Sequence, residues 1–359
     1  MKLTRKGFLG SLAAAGAAAA LPERVFGAVG ADDPTPEELR RWTVRWKYYL
    51  DPPEGWREGF AGGEELVKTY DCHPDCTIEV WRQNCGPNGR VQRVVKAIPR
   101  NIDITWKVPA VIAPFYIPEM LLGCELDDPS KTLERCSCKF MLDLVRRGYI
   151  VASNDCFHEN YCDCPGLARN AFARWEVTGK KILTDWPSWN PMALKVHDAM
   201  LVTDLVCRDE RVDTLKMAMV GHSLGGQSAF YAGCWDNRVK AILGSDFTFR
   251  WDRSYYDVSW YFGGKLSAMV ADGLEPSQLL TICGAKPFMC IAGWYDDDTT
   301  WRDMLRAKGY ADHPWDLAFI NHRSGHAPPK WALDAGYNFI ERKLRWESTD
   351  YTARPKGGI

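Results

Sequence analysis

The chain has 359 residues, 45 Lys and Arg against 46 Asp and Glu, and a net charge of −1 with a pI near 6.7. That balance excludes the polybasic surface that a nucleic-acid or anionic-lipid partner requires. A hydrophobic fraction of 46% is ordinary for a globular protein, and the length buries a sizeable core in either one large domain or two.

The first residues read as an address. "MKLTRKGFLGSLAAAGAAAALPERVFGA" has a basic start, an apolar alanine-rich run and small residues near a cleavage position. The run from Phe8 to Leu21 is short for a membrane span. "TRKGFLG" resembles a twin-arginine export signal, with Lys6 in place of the second arginine. Residues 1–30 are therefore expected to be an export signal, and residues 31–359 a single domain whose N-terminal extension covers 31–90. The mature protein is expected to be periplasmic or extracellular, with no membrane span after signal removal and no nucleic-acid partner.

After the signal, "DDPTPEELRRWTVRWKYYLDPPEGW" predicts a short helix and a segment wrapped over the surface. Residues 66–112 predict an antiparallel start to a sheet, with "RVQRVVKAIP" and "VPAVIAPFY" as strands. "KFMLDLVRRGYIVASND" reads as helix, glycine stop and strand. In "MALKVHDAMLVTDLVC", Val196, Met200, Thr203 and Cys207 fall on one helical face. "LKMAMV", "VKAILGSDF", "PFMCIAGWYD" and "DLAFINH" predict further strands, with "SLGGQSAFYAGCW", "TTWRDMLRAKGY" and "PPKWALDAGYNFIERKL" as helices. This alternation predicts an α/β fold: a mostly parallel central sheet with helices on both faces.

Thirteen cysteines are many for this length. Close pairs stand at Cys72 and Cys76, Cys136 and Cys138, and Cys162 and Cys164. Disulfides or buried thiols are the leading readings, since export permits oxidation. A zinc site on "CFHENYCDC" (Cys156, His158, Cys162, Cys164) ranks well behind, because its spacing fits no usual zinc pattern. No metal and no cofactor are expected.

The chemistry centres on "MAMVGHSLGGQSAF". A strand, a Gly-x-Ser-x-Gly turn and a helix form the arrangement of a nucleophile elbow, with Ser223 at its tip and the Leu224 N–H as one oxyanion donor. A serine hydroxyl needs a base. "INHRSGHAPP", after the last strand, supplies His326, with His322 as the weaker candidate at the strand end. The imidazole needs an acid from a strand end between them. "WYDDD" offers Asp296, the first choice, and Asp297, its rival; Asp246 in "ILGSDF" is a second site. Ser, Asp and His in that order along the chain is the α/β-hydrolase order.

These stretches resemble the α/β-hydrolase superfamily and, within it, exported esterases similar to dienelactone hydrolases and acetyl xylan esterases. The resemblance runs over residues 90–345. It rests on "MLDLVRRGYIVASND", on the segment from "MALKVHDAM" to "ILGSDFTF", and on "PFMCIAGWYDDD" and "RSGHAPP". It implies the α/β-hydrolase fold and ester hydrolysis without a cofactor. The mechanism expected of the Ser, Asp and His candidates is acyl transfer through an acyl-enzyme, and export with sixteen tryptophans points to small-molecule or glycan ester substrates. Where such chains often carry His-Gly, this one reads "IAPFYIPEM". Its Pro-Phe-Tyr resembles the Pro-Tyr of acyl-peptidase-like relatives, so Tyr116 is expected to give the second oxyanion donor, through its backbone or its hydroxyl. The rings of residues 249–264 suit either a sugar-binding wall or packing. An acyl-peptidase-like serine peptidase, or a binding protein that kept the fold and lost the chemistry, are the alternatives.

Overall fold

The computed structural model describes residues 33–56, 58, 63–100, 106–133, 138–169, 171–253 and 256–346; the expected export signal lies outside them. The order is α1 (Pro36–Leu50), β1 (Glu64–Tyr70), β2 (Cys76–Asn84), β3 (Val91–Pro99), β4 (Val108–Ile112), α2 (Pro118–Leu122), α3 (Phe140–Arg146), β5 (Ile150–Asn154), α4 (Phe172–Asp185) and α5 (Pro191–Cys207). It continues with β6 (Val212–His222), α6 (Leu224–Trp235), β7 (Ala241–Ser245), α7 (Leu266–Ala271), α8 (Pro276–Ile282), β8 (Phe288–Ala292), α9 (Asp298–Met304), β9 (Leu317–Asn321) and α10 (Lys330–Glu341).

The nine strands form one sheet in the order β1-β2-β3-β5-β4-β6-β7-β8-β9. β1 to β3 pair antiparallel, and β3 also pairs antiparallel with β5. From β5 to β9 every pairing is parallel. The parallel strands β5, β7 and β8 are buried along their whole length, because helices cover both faces. One core packs Trp46 of α1, Trp175 of α4, Val196 of α5 and Phe230 of α6 against one face of the sheet. The other packs Leu121 of α2, Phe140 of α3 and Ile340 of α10 against the opposite face.

Three expectations are refined. β4 ends at Ile112, so the "PFY" of the expected strand leaves the sheet as a loop; Pro114 has no N–H to give to a ladder. α5 is buried on every side from Pro191 to Ala199 rather than along one stripe. Residues 64–90, inside the expected extension, carry β1 and β2 of the same sheet, the antiparallel start that the reading of 66–112 predicts. Among the described residues no helix is long and apolar enough to cross a membrane.

Candidate active site

β6 delivers its last residues to the carboxyl edge of the sheet and turns into α6 at Ser223. The serine has φ 55° and ψ −126°, a region that L-residues avoid and that persists only where the surroundings enforce it. Here they do. A Cβ on Gly221 would lie 2.1 Å from the Gly225 carbonyl oxygen, and one on Gly225 2.2 Å from that of Pro114. Only glycines let the turn close and let the loop after β4 cross above it. The Ser223 N–H is tied to the Ser245 carbonyl at 2.9 Å.

That crossing loop brings Tyr116 to the serine. Its hydroxyl lies close enough to the Ser223 side chain and the Leu224 backbone N–H for both to act on it. Burial, opposed by the Ser223 contact, raises the phenol to about 12, so it keeps its proton at neutral pH. The Tyr116 carbonyl accepts from the Cys156 N–H at 3.1 Å, which fixes the loop. The ring stacks on Trp175, with centroids 4.7 Å apart and planes at 19°.

His326 lies in the loop after β9, directly behind Gly325, where φ is 94°. Its ring lies beside that of His222, the residue before Ser223, with centroids 4.4 Å apart. Its Nδ1 meets Asp246 Oδ2 at 2.5 Å. Asp246 has a fully buried side chain and φ 41°, and its other oxygen accepts N–H groups from Gly293, Trp294 and Asp296 at 3.2, 2.9 and 2.9 Å. Burial pushes this carboxyl up, but the His326 contact and the Asp296 and Trp294 amides outweigh it and hold Asp246 below the usual carboxylate range. The acid is thus ionised and aimed at the imidazole.

No family model matches the chain, and no curated protein matches it in sequence. Among solved structures, a glucuronoyl esterase from Solibacter usitatus aligns with a TM-score of 0.58 at 12% identity, over 86% of this chain and 92% of that one. A carbohydrate esterase family 15 glucuronoyl esterase from Caldicellulosiruptor kristjansonii gives 0.56 at 13%, over 86% and 85%. Acetyl xylan esterase 1 from Thermoanaerobacterium gives 0.53 at 14%, over 89% and 98%. This is an α/β-hydrolase fold.

Within the α/β-hydrolase fold, the site departs from the sequence-based expectation at its acid. Asp296 does not reach His326. Its carboxylate is turned inward and accepts the N–H groups of Phe247, Thr248 and Phe249 at 2.9, 2.8 and 2.7 Å. Burial raises it to about 6, with the Phe249 amide opposing and the Asp246 charge adding. It braces the loop after β7, while Asp246, held in reserve by the sequence reading, takes the imidazole. Asp297 caps α9 through the Thr299 N–H at 2.8 Å.

The other histidines near this fold's catalytic edge are engaged elsewhere. His222 is buried, bonds Ser245 Oγ at 3.1 Å and is lowered to about 3 by burial, then by the nearby His326, so it is neutral. His322 Nδ1 bonds Ser324 Oγ at 2.7 Å. Among the described residues no group of three or more His, Cys, Asp or Glu side chains is placed to hold a metal ion. Cys162 and Cys164 face each other at 4.0 Å, while His158 packs against Trp175 with ring centroids 5.0 Å apart.

Exposed rings frame the serine, a feature only partly anticipated. Phe172, 70% exposed, packs on Trp175 and Trp260 with centroids 5.0 and 6.3 Å away. Trp294, 68% exposed, stacks on Tyr295 with planes 9° apart, and the Tyr295 ring meets His326 edge-on at 5.0 Å. A separate cavity of about 660 Å³ lies between Trp56, Arg90, Tyr161, Lys181 and Trp186. Both of its cations are paired, Arg90 with Asp198 and Lys181 with Asp185.

Proposed function

We propose that this protein is a serine carboxylic-ester hydrolase acting on carbohydrate-linked esters, with Ser223 as nucleophile, His326 as base and Asp246 as the acid. The observation that carries the reading is the Asp246–His326 hydrogen bond at 2.5 Å beside a serine held at positive φ on a strand-to-helix turn. His326 takes the Ser223 proton through Nε2 while Asp246 holds the Nδ1 proton and offsets the developing imidazolium charge. Ser223 Oγ attacks the ester carbonyl. The oxyanion is stabilised by the Leu224 N–H, at the positive end of α6, and by the Tyr116 hydroxyl. The alcohol leaves with the proton from His326, and water repeats the sequence on the acyl-enzyme.

The sugar part of the proposal is supported by the carbohydrate esterases to which the fold is similar and by the exposed rings of Phe172 and Trp294. Flat aromatic faces left in water at the mouth of a site suit the apolar face of a pyranose. The test pairs two substrates. Ser223→Ala abolishes hydrolysis of both a nitrophenyl acetate and an acetylated oligosaccharide. Phe172→Ala raises KM for the oligosaccharide about tenfold and leaves the aryl ester within twofold. Activity retained in Ser223→Ala contradicts the nucleophile assignment. Equal effects of Phe172→Ala on both substrates contradict the sugar assignment.

A further inference from the structure

One contact outside the site joins the elbow helix to a distant segment. Cys234 is the second-last residue of α6 and is buried; Cys283 is the C-cap of α8 and is partly exposed. The helices pack on one another, and the two thiols, both free in this structure, are close enough to bias each other's ionisation. Cys283 Sγ also lies 3.3 Å from the Leu280 carbonyl oxygen.

Lys286 is folded over this pair. Its buried ammonium donates to the carbonyls of Gly233, Cys234 and Asp236 at 2.8, 3.4 and 2.6 Å, and its charge and backbone amide both act on the Cys283 thiol. A fixed cation and a backbone donor are what favour a thiolate. Burial alone pushes the Cys283 thiol up, but the neighbouring Cys234 thiol and the Lys286 charge and amide bring it to about 7. The contrast with the other thiols is large: burial raises Cys76, Cys85 and Cys156 to about 12. Cys162 and Cys164 are neighbours too, but a single intervening residue closes a strained ring.

We propose that Cys234 and Cys283 form a disulfide that clamps the C-terminal end of the elbow helix to the end of α8. The Cys283 thiolate attacks a disulfide oxidant, either a small molecule or a protein, and displaces one thiolate of it. The Cys234 sulfur, losing its proton, then attacks the Cys283 sulfur and displaces the second. Two thiols become one disulfide while the oxidant is reduced to two thiols. The link closes a loop long enough to restrict the unfolded chain substantially. It acts on stability and does not depend on the hydrolase reading.

The experiment equilibrates the full chain with oxidised glutathione, denatures it under alkylation and maps the peptides without reduction. The expected result is a peptide pair linked through Cys234 and Cys283, lighter by two hydrogens than the separate thiols. Its companion is a melting temperature about 5 °C higher than that of the reduced protein, a difference that Cys283→Ala removes. Full alkylation of both cysteines after oxidation overturns the proposal, as does Cys283 found bonded to glutathione alone or to any other cysteine. Because the mapping reads the unmutated chain, a variant that fails to fold leaves the test intact.

Discussion

Two aspartates, each at the end of a neighbouring strand, divide two tasks. Asp246 has its backbone at φ 41°, which swings its carboxylate between the β8-end amides and His326. Asp296 accepts three amides from the loop after β7 and the Thr300 hydroxyl, so both of its oxygens are engaged away from the imidazole. The difference is testable. Asp246→Asn keeps the shape but offers His326 the wrong hydrogen-bonding partner, and kcat is expected to fall by about 10⁴. Asp296→Asn turns an acceptor into a donor facing backbone N–H groups, so the melting temperature falls while kcat in the folded fraction stays within about tenfold. A reversal of the two kinetic effects returns the acid role to Asp296. Tyr116→Phe removes a hydroxyl that lies beside Ser223 and the Leu224 N–H; turnover is expected to drop about 10²-fold with KM little changed, and an unaltered kcat assigns that donor to the backbone. Ser223 and His326 were legible because each belongs to a local pattern: a glycine-flanked turn, and the loop after the last strand. The choice between Asp246 and Asp296 was not, because it depends on which carboxylate the backbone aims outward, and a positive φ at an aspartate leaves no mark in the sequence.

At the scale of elements, hydrophobic periodicity marked the parallel strands and the helices that pack on them. It missed α4. That helix buries Trp175, Thr178, Gly179 and Ile182, the spacing of a helical face, but with a threonine and a glycine standing where apolar residues would advertise it. Gly179 is there for contact: a Cβ would lie 2.4 Å from the Ser259 carbonyl oxygen. The close approach docks α4 on the aromatic segment after β7. Together they carry Phe172, Trp175 and Trp260 to the side of Tyr116, so the helix that left the weakest trace shapes one wall of the site. α5 misled in the opposite sense. Its expected single face is lost because α1 and the neighbouring helices cover what would otherwise be its solvent side.

For the molecule as a whole, the alternation of strands and helices was enough to predict a mostly parallel sheet, but not its order. β5 lies between β3 and β4, an exchange decided by how the crossovers pack. Buried ion pairs tie this sheet to its helices and edges. Arg90–Asp198, Arg93–Glu119, and Lys96 with Glu79 and Asp209 lie at 2.5 to 2.8 Å. In each acid burial acts upward, yet the paired cations prevail and Asp198, Glu119, Glu79 and Asp209 are all lowered. A lowered folded-state value contributes stability that is fully present above the unfolded value, near 4, and is lost as pH falls below it. Asp155 and Asp296, both raised by burial, act in the opposite sense but are fewer. The melting temperature is therefore expected to decline steeply below about pH 4, checked by calorimetry across pH 3 to 7; a maximum below pH 4 contradicts this balance.

The account rests on an activated Ser223 hydroxyl, and its most direct test is the mass of the peptide holding that residue after exposure of the intact protein to a fluorophosphonate. The account predicts a stoichiometric phosphonyl adduct on Ser223, formed with loss of fluoride and abolished in His326→Ala. An unlabelled Ser223 in folded protein, or labelling that persists at the same rate without His326, contradicts it.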